Sequence, residues 1–136
     1  MTCENCFQQV RLGELLTFEW QDKTEVEMPL DLGSAIDLAG SNVVAVTINV
    51  SSATLGTNVS SVDFVFRTAP INNDAFYADV LGSTGDPTAI SVTAAGVKFD
   101  TTSGFSRFFA LQPVLVETGA SGTTKVVATI DVIIRG

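Results

Sequence analysis

The stretch Lys125-Val126-Val127-Ala128-Thr129-Ile130-Asp131-Val132-Ile133-Ile134 decides the fold class. Successive strand side chains point to opposite faces, so Val126, Ala128, Ile130, Val132 and Ile134 line one face at period two. Val127, Thr129, Asp131 and Ile133 line the other, which is half apolar. That mixture suits a central strand, or one whose outer face meets another chain. Nowhere does the chain hold twelve residues of clear 3.6-residue apolar periodicity, as a helix of ordinary length would.

Working outward, the same rhythm recurs. Val44, Val46, Ile48 and Val50 share a face within Val43–Val50, and Val62, Phe64 and Phe66 alternate with Asp63 and Arg67. Leu16 to Trp20 alternates, Gln21-Asp22-Lys23 reads as a turn, and Val26, Met28 and Leu30 continue beyond it, with Pro29 marking an edge or a strand end. Residues 31–40 have room for another short strand. Phe76–Leu81, Ala89–Thr93 and Val97–Phe99 are briefer candidates, and Phe105–Val116 a longer one in which Pro113 calls for an edge or a bulge. The polar run Ser51–Ser61 reads as a long hairpin connection, and Gly119–Gly122 as the final turn. The prediction is one all-β domain: a sandwich, jelly-roll-like or immunoglobulin-like, of eight to ten short, mostly antiparallel strands. Residues 13–136 form it. Residues 1–12 make an N-terminal arm, flexible or a short helix.

The 136 residues suit one domain with a real core. Hydrophobic residues make up 46% and charged residues 16%, which excludes a disordered acidic chain. The formal charge is −8, and the seven basic residues form no stripe, so direct nucleic-acid binding is not expected. The first residues have neither a positive segment nor an apolar run of the secretory type, and no stretch reaches membrane-helix length. A cytoplasmic protein, or one incorporated into a virion, is the expectation. Asn49-Val50-Ser51 and Asn58-Val59-Ser60 then read as chance sequons in a Ser/Thr-rich chain.

Catalytic chemistry has few carriers. With no histidine there is no ordinary general base near neutrality and no Ser-His-Asp or Cys-His device. Cys3-Glu4-Asn5-Cys6 places two thiols at chelating distance, but zinc needs four ligands, so Cys3 and Cys6 would hold metal only if shared between chains. Idle thiols or a disulfide are the other readings. Glu14, Glu19, Glu25 and Glu27 supply carboxylates near Trp20, with Glu19 and Trp20 on opposite faces. Asn72, Asn73, Asp74, Asp79, Asp86 and Asp100 are oxygen ligands of the kind calcium takes, without a recognisable calcium loop. A solvated surface explains both sets.

Two readings follow. The first is a non-enzymatic assembly protein without a cofactor, such as a virion accessory, decoration or coat-like subunit. It would contact copies of itself or a larger assembly through Phe105, Phe108, Phe109, Val127 and Ile133. The strand spacing and Thr/Ser/Gly-rich composition are similar to those of small β-sandwich or jelly-roll accessory proteins of tailed phages, though no residue motif carries the likeness. The second is a binding module for carbohydrate or another small ligand, using Trp20, Glu19, Tyr77 and Asp79. A carboxylate-dependent enzyme is a third and weaker alternative.

Overall fold

The computed structural model describes residues 7–27, 36–39, 41, 43–82 and 84–135. Ten strands lie among them: β1 Phe7–Gln21, β2 Thr24–Glu27, β3 Ile36–Asp37, β4 Val43–Thr54, β5 Thr57–Ala69, β6 Ala78–Asp79, β7 Ala89–Val92, β8 Gly96–Ser103, β9 Phe108–Ser121 and β10 Thr123–Arg135. They form two antiparallel sheets facing each other. One has the order β2-β1-β10-β4-β8, and the other β3-β9-β5-β6, with β7 also on β5. The two-sheet sandwich expected from the alternation is present.

Its organising unit is a two-stranded ribbon. β4 pairs with β10 from Val43 opposite Arg135 to Thr54 opposite Lys125. The ladder resumes as β5 with β9, from Thr57 opposite Ser121 to Ala69 opposite Phe108. The ribbon therefore bends once, between the sheets, at Leu55-Gly56 on one chain segment and Gly122 on the other. Other strands flank it in nested order: β1 on β10, β8 on β4, β7 and β6 on β5, and β3 on β9. This nested pairing is jelly-roll wiring, which separates the two topologies that alternation left open.

At Gly56 the bend has no space for a side chain. A Cβ on Gly56 would lie 2.6 Å from the Ser121 carbonyl oxygen. The Gly56 N–H donates to Oγ1 of the fully buried Thr124 at 2.9 Å. Gly122 adopts φ 78°, donates its N–H to Asp22 Oδ1, and accepts the Asp22 N–H on its carbonyl, each at 2.9 Å. The β1–β2 turn is thereby fastened to the bend.

Several sequence expectations change here. Ser51–Ser61 is not a long loop: only Leu55 and Gly56 separate β4 from β5. The run is polar because the ribbon near the bend faces solvent while its backbone stays paired. The expected turn at Gly119–Gly122 narrows to Gly122, since β9 continues to Ser121. From Phe7 on, β1 takes the place of the flexible arm or short helix expected over residues 1–12, so strand structure begins within that arm. β1 hides its period behind register shifts at Arg11–Gly13 and Gly13–Leu16, where Leu15 takes φ 50°. Five strands run to 12–15 residues, longer than the short strands expected. Pro113 sits in β9 where β3, paired only at Phe108 and Phe109, leaves that side uncovered among the described residues. Met28–Ala35, which includes Pro29 and part of one expected strand, lies outside the described residues.

The core fills the space between the sheets. Val44, Val46, Ile48, Val126, Ala128, Ile130 and Val132 face inward from one sheet, and Val62, Phe64, Phe66, Val92, Phe109 and Leu111 from the other. Phe18 of β1 meets Phe64 of β5 edge-on across the gap, ring centroids 5.2 Å apart. Full burial of each such side chain stabilises the fold by about 1.5–3 kcal/mol.

Replacing Thr124 by Val keeps the shape and leaves the Gly56 N–H without its acceptor. Urea unfolding should show a loss of about 1–3 kcal/mol. Gly56→Ala should cost a similar ~1–3 kcal/mol, because a backbone oxygen must move. Wild-type stability in both variants would show that the bend is not a constraint.

Candidate interaction surfaces

The candidate ligand residues are not brought together. Trp20 lies on the inner face of β1 near the bend, 5% exposed and part of the core, while Glu19 is on the outer face opposite Lys125. Tyr77, 7% exposed, lies in the β5–β6 connection at the other end of the opposite sheet. There it packs with Ala69, Ala110 and Phe108, and its hydroxyl donates to Asn72 Oδ1 at 3.0 Å. Neither aromatic ring offers a face on which a sugar could stack. Glu25 and Glu27 are placed by β2 opposite Trp20 and Glu19 along the backbone ladder.

The carboxylates and amides of the loops are engaged locally. Asp79 Oδ1 lies 3.2 Å from Arg67 Nε, close enough for an ion pair but off the line a hydrogen bond requires. Arg67 spends its terminal nitrogens on Gln112 Oε1 at 2.8 Å and the Tyr77 carbonyl at 3.1 Å. Asp63 Oδ1 accepts from Ser61 Oγ and Ser91 Oγ, both at 2.7 Å. Asn73 Oδ1 caps the Ala75 N–H, Asp86 takes the Thr84 hydroxyl, and Asp100 takes the Thr101 N–H. Among the described residues no group of three or more Cys, Asp or Glu side chains could hold a metal ion. Cys3 and Cys6 lie outside those residues.

The candidate interface residues divide. Phe109 is fully buried, and Phe105 packs against the core, with rings 5.3 Å from each other and 5.7 and 6.4 Å from Phe66. Phe108 turns the other way and lies under the Arg107 guanidinium, 5.2 Å from its ring centroid. Val127 and Ile133 are half-buried on the outer face of the first sheet, where Ile133 stands between Gln9 and Ala45. That face carries an Arg11–Asp131 ion pair at 2.9 Å on its β1 side. Toward β4 and β8, the described outward side chains are Ala45, Thr47, Asn49, Val97, Phe99, Thr101 and Ser103, and none is charged.

Phe99 is 77% exposed and Val97 58%. By sequence the segment reads only as a short extended piece, with neither residue a contact candidate. The signal was available: in Val97-Lys98-Phe99-Asp100, the apolar set alternates with charges, and the charges take the inner face of an edge strand.

A scan against protein-family models and searches of curated proteins and of solved structures find no match to the chain. No helix among the described residues is long and apolar enough to cross a membrane.

Two carboxylates are set to respond to acid. The Arg107 guanidinium, at 3.0 Å, and the Ala39 N–H hold Asp37 below the usual carboxylate range. The Ala120 and Gly119 N–H groups, and then Lys23, do the same for Glu117. A pKa depressed in the folded state adds stability that is complete above the unfolded value and disappears as pH falls through the folded one. The double variant Asp37→Asn, Glu117→Gln should therefore lose stability less steeply than wild type as pH drops below the ordinary carboxylate range. Denaturant titrations at a series of pH values will read this. Equal slopes would assign acid sensitivity to other groups.

Proposed function

We propose that the chain is a non-enzymatic assembly module, a virion accessory, decoration or coat-like subunit that acts through protein–protein contacts. The observation that carries this reading is a division of chemistry across the surface. Its well-placed polar groups are tied to one another, as in Arg67 with Gln112, Tyr77 and Asp79, and Asp63 with Ser61 and Ser91. Large apolar side chains, Phe99 above all, are left facing water. Burial of apolar surface drives most association between proteins, so the groups available for binding favour a protein partner.

Jelly-roll wiring occurs in capsid and lectin domains alike, so the fold leaves both kinds of function open. Burial of Trp20 and Tyr77 favours the first over a carbohydrate site. With no histidine in the chain, an enzyme would lack the usual general base near neutral pH. A formal charge of −8 and dispersed basic residues disfavour direct contact with nucleic acid. Action in the cytoplasm or within a virion completes the reading.

Light scattering over a rising concentration series, with an oligosaccharide binding screen alongside, tests it. The expected result is a mass that climbs above the 14.3 kDa of one chain, with no saccharide bound. A chain that stays monomeric and binds a saccharide would move the assignment to the carbohydrate module.

A further inference from the structure

β8 ends its sheet: it pairs with β4 on one side, and no described strand covers the other. An open edge is a template for another strand, and soluble proteins usually block it. Here the inner face of the edge carries Lys98 opposite Ile48 and Asp100 opposite Val46, both half-buried. Charges pointing inward on an edge strand normally discourage pairing. In this strand their spacing also makes the edge complementary to itself.

We propose that the free edge of β8 pairs with β8 of a second copy of this chain, antiparallel and two-fold symmetric about Phe99. Lys98 of each chain then faces Asp100 of the partner subunit, twice by symmetry. Phe99 meets its symmetry mate on the outer face, and Val97 lies opposite Thr101. The proposal deepens the assembly reading and rests on it, by naming one partner and one surface.

Three observations support this register. The first is charge. Moving the two-fold to Lys98 or Asp100 sets a like charge against itself, which opposes pairing. Centring it on Val97 or Thr101 leaves Lys98 opposite Gly96, or Asp100 opposite Thr102. Only the Phe99 centre matches opposite charges, and it does so between two chains that each carry −8 and would otherwise repel.

The second is the backbone. The Thr101 N–H is donated to Asp100 Oδ1 at 2.8 Å and so is not committed to β4. Alternation along an antiparallel ladder then turns the backbone groups of Val97, Phe99 and Thr101 to the open side. In a ladder centred on Phe99 these are the residues that exchange hydrogen bonds: Phe99 with itself, and Val97 with Thr101. Asp100 would release the Thr101 N–H as Lys98 arrives from the partner.

The third is Phe99 itself. It has the greatest exposure of the large apolar side chains described, on a strand whose other outward neighbours are uncharged. Pairing with its mate covers part of both rings.

Charge reversal gives the test. Sedimentation equilibrium on the wild type should show a monomer–dimer equilibrium. Lys98→Asp and Asp100→Lys should each weaken the dimer roughly tenfold or more, because every substitution creates two like-charge pairs. The double variant Lys98→Asp, Asp100→Lys should return to within about threefold of wild type, with circular dichroism confirming the fold throughout. Without any substitution, amide exchange at Val97, Phe99 and Thr101 should slow as concentration rises. A wild type that never dimerises overturns the proposal, as does a double variant no better than folded single variants. Self-association unaffected by either reversal, with unprotected β8 amides, overturns this edge and leaves the assembly reading standing on another face. The assembly reading itself fails separately, when a monomer binds saccharide.

Discussion

Everything in this molecule depends on bending a paired ribbon without breaking it. Residues 43–69 run antiparallel to residues 108–135, and the two segments cross from one sheet to the other together. At the crossing the backbones approach so closely that Gly56 faces the Ser121 carbonyl oxygen, and the freed Gly56 N–H needs the Thr124 hydroxyl inside the protein. Gly122 makes the same passage on the other segment, in a left-handed conformation held by Asp22. Once the ribbon is bent, its inner face encloses the valine, isoleucine and phenylalanine side chains of both halves. The flanking strands then have two ready edges on each sheet.

The bend also sets the character of the surface. Strands on the β10 side are covered by β1, so the half-apolar outer face of the last strand is lodged between Gln9, Arg11, Ala45 and Thr47. Its Val127 and Ile133 are half-buried within one chain. On the other side no described strand lies beyond β8, and Val97 and Phe99 there are exposed. Trp20 and Tyr77 are buried, whereas Phe99, on the outermost described strand of its sheet, is 77% exposed.

How much of the candidate surface could be read from residues alone varied with the origin of each contact. That Phe108 and Phe109 face opposite ways follows from period two, as does the opposition of Glu19 and Trp20, but which phenylalanine turns inward does not. That Trp20 and Tyr77 lie on different sheets at opposite ends does not follow either, because it depends on which strands are neighbours. By sequence Val97–Phe99 is only a short stretch, and the importance of β8 comes from lying at an edge. Edge position is a property of strand order, and Lys98 and Asp100 mark it only once the inner face of the strand is known.

By itself, the amino-acid sequence determined the all-β class and the inner faces of β4, β5 and β10. These follow from local alternation and the steric preference of branched and aromatic side chains for pleated backbone. Tertiary structure alone decided that Ser51–Ser61 is ladder rather than loop, that residues 7–12 belong to a strand, and that the wiring is jelly-roll. Each of these rests on pairing between residues far apart in the chain, such as Val10 with Val132 or Thr57 with Ser121. Backbone hydrogen bonds can hold a polar or bulged segment extended when its own side chains show no period, and the partner that supplies those bonds is chosen only when the ribbon bends.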